Sequence, residues 1–226
     1  MNDFYKLHKL FQWPVALLLL VIGFTPLLTL IEIGHKEPLF YLVFILYVPL
    51  AQFTFTPFFK LIGVYRYYSP MLLGYMANDK QIDLHNGTTF DYLWVMRKVK
   101  PGIEMRNRVL MYQLEGMQNI IQQIESNIIP QTVTIIGTSY FFSNRTLKKL
   151  GFEIVKPSLF YRLNILVNFI DLTCLYSLSK GRFTIPNLLS VKKASISGKK
   201  IVENKKNIEE ILMILNKKHT KTINLR

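Results

Sequence analysis

The chain has 226 residues, half of them hydrophobic, and a formal net charge of +14 at neutral pH. That length accommodates one ordinary domain beside a membrane segment and excludes two soluble domains. The lone cysteine, Cys174, excludes an internal disulfide, and histidines at 8, 35, 85 and 219 are too scattered for a recognisable zinc site, so no metal is predicted.

The first 60 positions carry few charges. Trp13 to Ile33 has Glu32 as its only charge and Leu39 to Phe59 has none, and each is 21 residues long, enough to cross a hydrocarbon core of ~30 Å. The five residues between them, Gly34 to Pro38, allow only an antiparallel turn, so 13–33 and 39–59 are predicted as a transmembrane helical hairpin. Pro26, Pro49 and Pro57 within the spans imply kinks. The apolar run is too long for a cleaved signal peptide, and a second span follows at once. Lys6 and Lys9 before the hairpin, and Lys60 and Arg66 after it, place residues 1–12 and the chain from 60 onward on the cytoplasmic side of an inner membrane.

From Lys60 onward come all the residues that give the chain its net charge, and 180–226 holds 12 Lys plus Arg against 3 acids. Beside a bilayer, that excess fits anionic lipid headgroups, each lysine near the surface contributing about 1 kcal/mol. Nucleic acid ranks lower, because no base-reading module is visible.

Residues 60–200 are predicted as an α+β domain. Ile82 to His85 and Thr88 to Met96 alternate like strands around Asn86-Gly87, which predicts a β-hairpin. From Glu104 to Ile128, apolar residues at 110, 114, 117, 121, 124 and 128 mark one face of a long helix stopped by Pro130. Thr132 to Ile136 reads as a buried strand, Ser143 or Asn144 as the cap of a short helix ending at Gly151, and Phe152 to Val155 as a strand. Leu159 to Ser179 is apolar but interrupted by Arg162, Asn164, Asn168 and Asp171, which predicts a buried or interfacial helix with a polar stripe. Asn207 to Glu210 resembles a capping box opening a basic amphipathic tail, 201–226.

Two places suggest chemistry. Asp83 and His85 share a strand face, with Asp91 on the predicted neighbouring strand, so a carboxylate could orient a histidine general base. Gly137-Thr138-Ser139-Tyr140 follows a buried strand, where open α/β sheets expose ligand contacts. Glu115, off the apolar stripe, is expected to be solvated.

The order hairpin, long helix, strand, short helix, then Leu150-Gly151-Phe152-Glu153 resembles the second half of the GCN5-related N-acetyltransferase (GNAT) fold over residues 88–155. The resemblance implies acyl-CoA as cofactor, its pyrophosphate held at the start of the long helix by Pro101-Gly102, or by Gly116 on the helix itself, with Arg106 and Arg108 as phosphate partners, and Thr138 and Ser139 contacting the carrier. The family's tyrosine proton donor is Leu147 here and its asparagine is Tyr140, so catalysis is expected to fall to His85, Asp83 and Tyr140. The function predicted is therefore a divergent acyltransferase-like enzyme acting on a membrane-associated substrate. The alternative is a non-enzymatic membrane adaptor that recruits a partner protein or anionic lipid.

Overall fold

A computed structural model describes residues 3–139, 144–155, 157–188 and 192–224. The apolar stretches form α1 (Lys9–Lys36) and, after a 3-10 segment at Pro38–Val43, α2 (Phe44–Leu61). Both stretches are long and apolar enough to cross a membrane. They pair as an antiparallel hairpin: the Trp13 and Phe58 rings lie 6.3 Å apart at one end, and Gly34 abuts Tyr41 at the other. Midway, a side chain on Gly23 would collide with Thr54 and Phe55, so glycine permits the close approach. The Tyr47 hydroxyl donates to the Gly23 carbonyl oxygen at 2.7 Å.

After the hairpin come strands β1 (Tyr65–Ser69), β2 (Leu72–Tyr75) and β3 (Gln81–Asn86) in an antiparallel meander. The expected 82–96 hairpin is overturned, because only its first half is a strand. Thr89–Val95 is a helix, α3. The Asp91 carboxylate accepts the backbone N–H of Thr88 at 2.9 Å, a helix-start signal that outweighs the Asn86-Gly87 turn signal.

The long helix is α4 (Ile103–Glu125), and it leads to β4 (Thr134–Ser139), which pairs parallel to β3. Next come α5 (Asn144–Lys149) and β5 (Glu153–Val155), separated by Gly151 at φ +84°. The predicted helix over 159–179 is two helices, α6 (Leu159–Val167) and α7 (Phe169–Lys180), broken at Asn168. An unanticipated strand, β6 (Lys192–Ser197), then inserts between β4 and β5, so the mixed sheet runs β1-β2-β3-β4-β6-β5.

The fold is therefore α+β. Its main core lies between one sheet face, with Ile82, Leu84, Ile135 and Ile196, and the apolar side of α4, with Leu114, Met117, Ile121 and Ile124. Ile128, expected on that side, lies beyond the helix and is exposed. The last segments, α8 (Gly198–Glu203) and α9 (Lys205–Asn224), close the same core with Ile201, Ile208 and Leu212. The segment expected as a separate bilayer-lying tail thus spends its apolar stripe on α4. Its helix also starts before Asn207, whose side chain donates to the Lys149 carbonyl oxygen at 3.2 Å instead of capping.

Polar contacts tie the hairpin to the domain. Asp91, fully buried, also accepts from the Thr88 hydroxyl (3.1 Å) and from the Tyr67 hydroxyl (2.6 Å). Thr56 of α2 lies 2.9 Å from that Thr88 hydroxyl. Burial and the neighbouring carboxylate hold the Tyr67 phenol well above its ordinary range, so it stays protonated as a donor. Nearby, Thr89 donates to Asp171 of α7 at 2.6 Å.

Removing the acceptor with Asp91→Ala leaves buried donors unpaired and is expected to cost about 3 kcal/mol, measured as a lower denaturation midpoint in detergent. Asp171 gives a pH signature. Burial raises its carboxyl above the ordinary 3.8, against the Thr89 bond, so the folded chain binds more protons there than the unfolded chain. Stability from this group is present at low pH and falls as pH rises from 3.8 through the folded value. Asp171→Asn keeps an acceptor for Thr89 and is expected to be more stable than the wild type at neutral pH, the gap closing below 3.8, as denaturation midpoints across pH would record.

Candidate functional site

The parallel pair sets the site. The β3–β4 ladder runs from Gln81–Thr134 to Leu84–Gly137 and stops, although β3 continues to Asn86 and β4 to Ser139. β4 stays paired instead with β6, Thr138 opposite Lys193 and Ser139 opposite Lys192. The two strands therefore part at their carboxyl ends, where ligands commonly bind in sheets with parallel strands. A cavity of about 40 Å³ opens there, walled by Leu84, Met117, Leu147 and Phe152. Gly137 lines it without a side chain, Asn86 and Gln113 supply its polar side chains, and His85 borders it from β3 with its own side chain on the other face of the strand.

These polar groups come from facing elements. Asn86 shares the core face of β3 with Ile82 and Leu84, and Gln113 reaches it from α4, donating its Nε2 hydrogen to Asn86 Oδ1. Gln113 is buried, and its Oε1 has no hydrogen-bond partner among the described residues. A cavity of this size admits two or three waters, at roughly 10–15 Å³ each, one of which could donate to that oxygen.

On the opposite face of β3, Asp83 and His85 are together as predicted. His85 Nε2 lies 3.4 Å from Asp83 Oδ2, within ion-pair range but without hydrogen-bond geometry. The Tyr161 hydroxyl, carried by α6, donates to Asp83 Oδ1 at 3.4 Å. Lys193 Nζ stands 5.3 Å over the Tyr161 ring. The site therefore collects a carboxylate, an imidazole, a phenol and an ammonium from three different elements.

Other predicted members lie elsewhere. Asp91 sits in the hairpin network, away from Asp83 and His85. Tyr140 is outside the described residues, as are the side chains of Thr138 and Ser139, whose backbones belong to β4. Arg106 is exposed and Arg108 stacks over Tyr112, 6.0 Å from its ring centroid; neither lines the cavity. Glu115 is half-buried, not solvated, and burial raises its carboxyl above the ordinary value against the pull of Arg108.

One amide at the start of α4 is already engaged. The Gly102 N–H donates to the Leu178 carbonyl oxygen at 2.8 Å, and Gly102 (φ +100°) packs against Gly181 at the end of α7 so closely that a side chain on Gly181 would meet the Gly102 backbone at 3.0 Å. An amide that would face a pyrophosphate is occupied by another helix's carbonyl.

Sequence reasoning missed Gln113, Asn86, Tyr161 and Lys193. Gln113 had a signal, a polar residue inside the apolar face marked by Leu110, Leu114 and Met117. Tyr161 and Lys193 had none, because only the insertion of β6 and the docking of α6 bring them to β3. No protein-family model, curated protein or solved structure matches the chain, so the site rests on its own geometry.

Asn86→Ala strips the buried Gln113 amide of its partner and is expected to cost about 1–3 kcal/mol. Adding Gln113→Leu removes the orphaned polar group and should recover part of that loss, as a double-mutant cycle of denaturation midpoints would show.

Proposed function

We propose that the chain is a membrane-anchored, acyltransferase-like enzyme with its domain on the cytoplasmic side of an inner membrane, acting on a membrane-associated substrate. The observation that carries this is the parting of β3 and β4 around His85. It is supported by the chain order, in which a long helix joins two parallel strands and a short helix follows, ending at Leu150-Gly151-Phe152-Glu153. With Nε2 turned towards Asp83, His85 keeps Nδ1 for the proton of an incoming nucleophile. Asp83 stands where it stabilises the resulting imidazolium, and Tyr161 holds Asp83 in place. The phosphate contacts implied at Gly102, Arg106 and Arg108 do not fit this arrangement, so no step is assigned to them.

One observation favours the second reading, a membrane adaptor for a partner protein or anionic lipid. The cavity, about 40 Å³, is far below the roughly 300–1,000 Å³ of small-molecule sites. Thermal unfolding of the detergent-solubilised protein with acyl-CoAs of several chain lengths, and with acylated carrier protein, separates the two. An enzyme is expected to be stabilised by at least one acyl carrier and to lose that transfer activity in His85→Ala and Tyr161→Phe. If no carrier raises the midpoint and both variants sustain cellular function, the adaptor reading stands.

A further inference from the structure

We infer that α6 is a third membrane contact, a segment lying in the leaflet beside α2 without crossing it. Its sequence gives it two faces. At 3.6 residues per turn, Leu159, Leu163 and Leu166 fall on one side, and Tyr161, Ile165 and Asn168 on the other. The second side is engaged: Tyr161 reaches Asp83, Ile165 is buried, and Asn168 bonds α2. The first side is bare, with Leu159 74 %, Leu163 52 % and Leu166 51 % exposed. Three large apolar side chains in a row on so short a helix form the kind of patch that a soluble surface avoids.

What covers that patch follows from where α6 is fastened. Gln52 of α2 donates its Nε2 hydrogen to Asn168 Oδ1 at 2.6 Å, and α2 packs against both α6 and α7. Gln52 precedes Leu61, the last residue of α2, by about 13 Å of helix. The α6–α7 junction is therefore held alongside the carboxyl-terminal half of the apolar 39–59 stretch and short of its end. Elsewhere around its circumference α2 is itself apolar and exposed, as at Leu46 and Leu50, so α6 is fastened to a helix whose free surface already suits lipid. Arg162, exposed on the flank of the bare α6 face, has a long stem that lets its guanidinium reach the headgroups while the leucines stay in acyl chains.

The consequence is positional. One face of α6 meets lipid and the other meets Asp83, so the site stands about one helix diameter, roughly 10 Å, from the bilayer. A substrate fitting that position is an amphiphile, its tail in the leaflet and its polar head at Asp83 and His85. The inference rests on α1 and α2 being membrane spans, and the test separates the two claims.

In a Cys174→Ser background, single cysteines at Leu163 (α6), Leu18 (α1) and Met213 (α9) are labelled with bimane, and each protein is placed in nanodiscs of phosphatidylcholine and phosphatidylglycerol carrying doxyl-labelled lipid. Met213 is 57 % exposed and Leu18 61 %, so both report their surroundings directly. The expected result is strong quenching at Leu18 and Leu163 and little at Met213. Quenching at Leu18 alone, with Leu163 as weak as Met213, overturns the inference and leaves the spans intact. A Leu163 label that is blue-shifted yet unquenched puts a protein on this face and also overturns it. No quenching even at Leu18 overturns the spans and the inference together.

Discussion

A single buried carboxylate fixes the relation between the apolar hairpin and the domain. Asp91 is shut off from solvent, and desolvating a carboxylate costs several kcal/mol unless donors surround it. Its donors come from its own helix start, through the Thr88 amide and hydroxyl, and from β1, through Tyr67. Its place in the first turn of α3 adds the favourable end of that helix's dipole. Because Thr88 also meets Thr56 of α2, a shift of the hairpin against the sheet would disturb the groups that keep this charge tolerable. The aromatic cluster around it, Phe4, Tyr5 and Phe90 with Leu19 and Phe53 packed on, supplies area, but area is non-directional. Orientation comes from the hydrogen bonds.

The same logic explains what was legible in the sequence. Elements set by their own local pattern, the two apolar helices, α4 and the Asn144–Gly151–Val155 passage, were readable to within a few residues, since period and punctuation specify them. The failures have two causes: a local helix-start bond from Thr88 to Asp91 that outweighs the turn signal before it, and signals whose meaning depends on a distant partner. Alternating residues in 88–96 look like a strand, yet Phe90, Tyr92 and Met96 are buried because α3 is pressed against neighbouring elements. The polar stripe at Asn164, Asn168 and Asp171 was visible, but its partners, Gln52 and Thr89, lie over 80 residues away in the chain. Strand β6 is short and lysine-bearing, and becomes a strand by filling the place between β4 and β5.

The candidate site was half legible for the same reason. Asp83 and His85 could be paired from strand period alone, because residues two apart share a face. Gln113 and Asn86 oppose each other only after α4 has crossed the sheet, and Tyr161 reaches Asp83 only after α6 has docked. Leu147, standing where the resemblance expects a phenol, is buried in the cavity wall. The titratable groups of the parting, Asp83 and His85, lie on the other face of β3.

The occupied start of α4 carries this further. A helix N-terminus attracts anions because its first amides lack partners, and that attraction ends once the amides are bonded. Here the α7 carbonyl at Leu178 takes the Gly102 amide, joining the negative end of one helix to the positive end of another. Both positions favour glycine by their positive φ, and at Gly181 a side chain would also press on the Gly102 backbone. The junction also anchors α7, and α7 in turn sets the position of α6 and Tyr161. Committing the Gly102 amide to α7 is thus part of what delivers a phenol to Asp83, and a chain that kept that amide free for phosphate would lose the α7 contact that it makes.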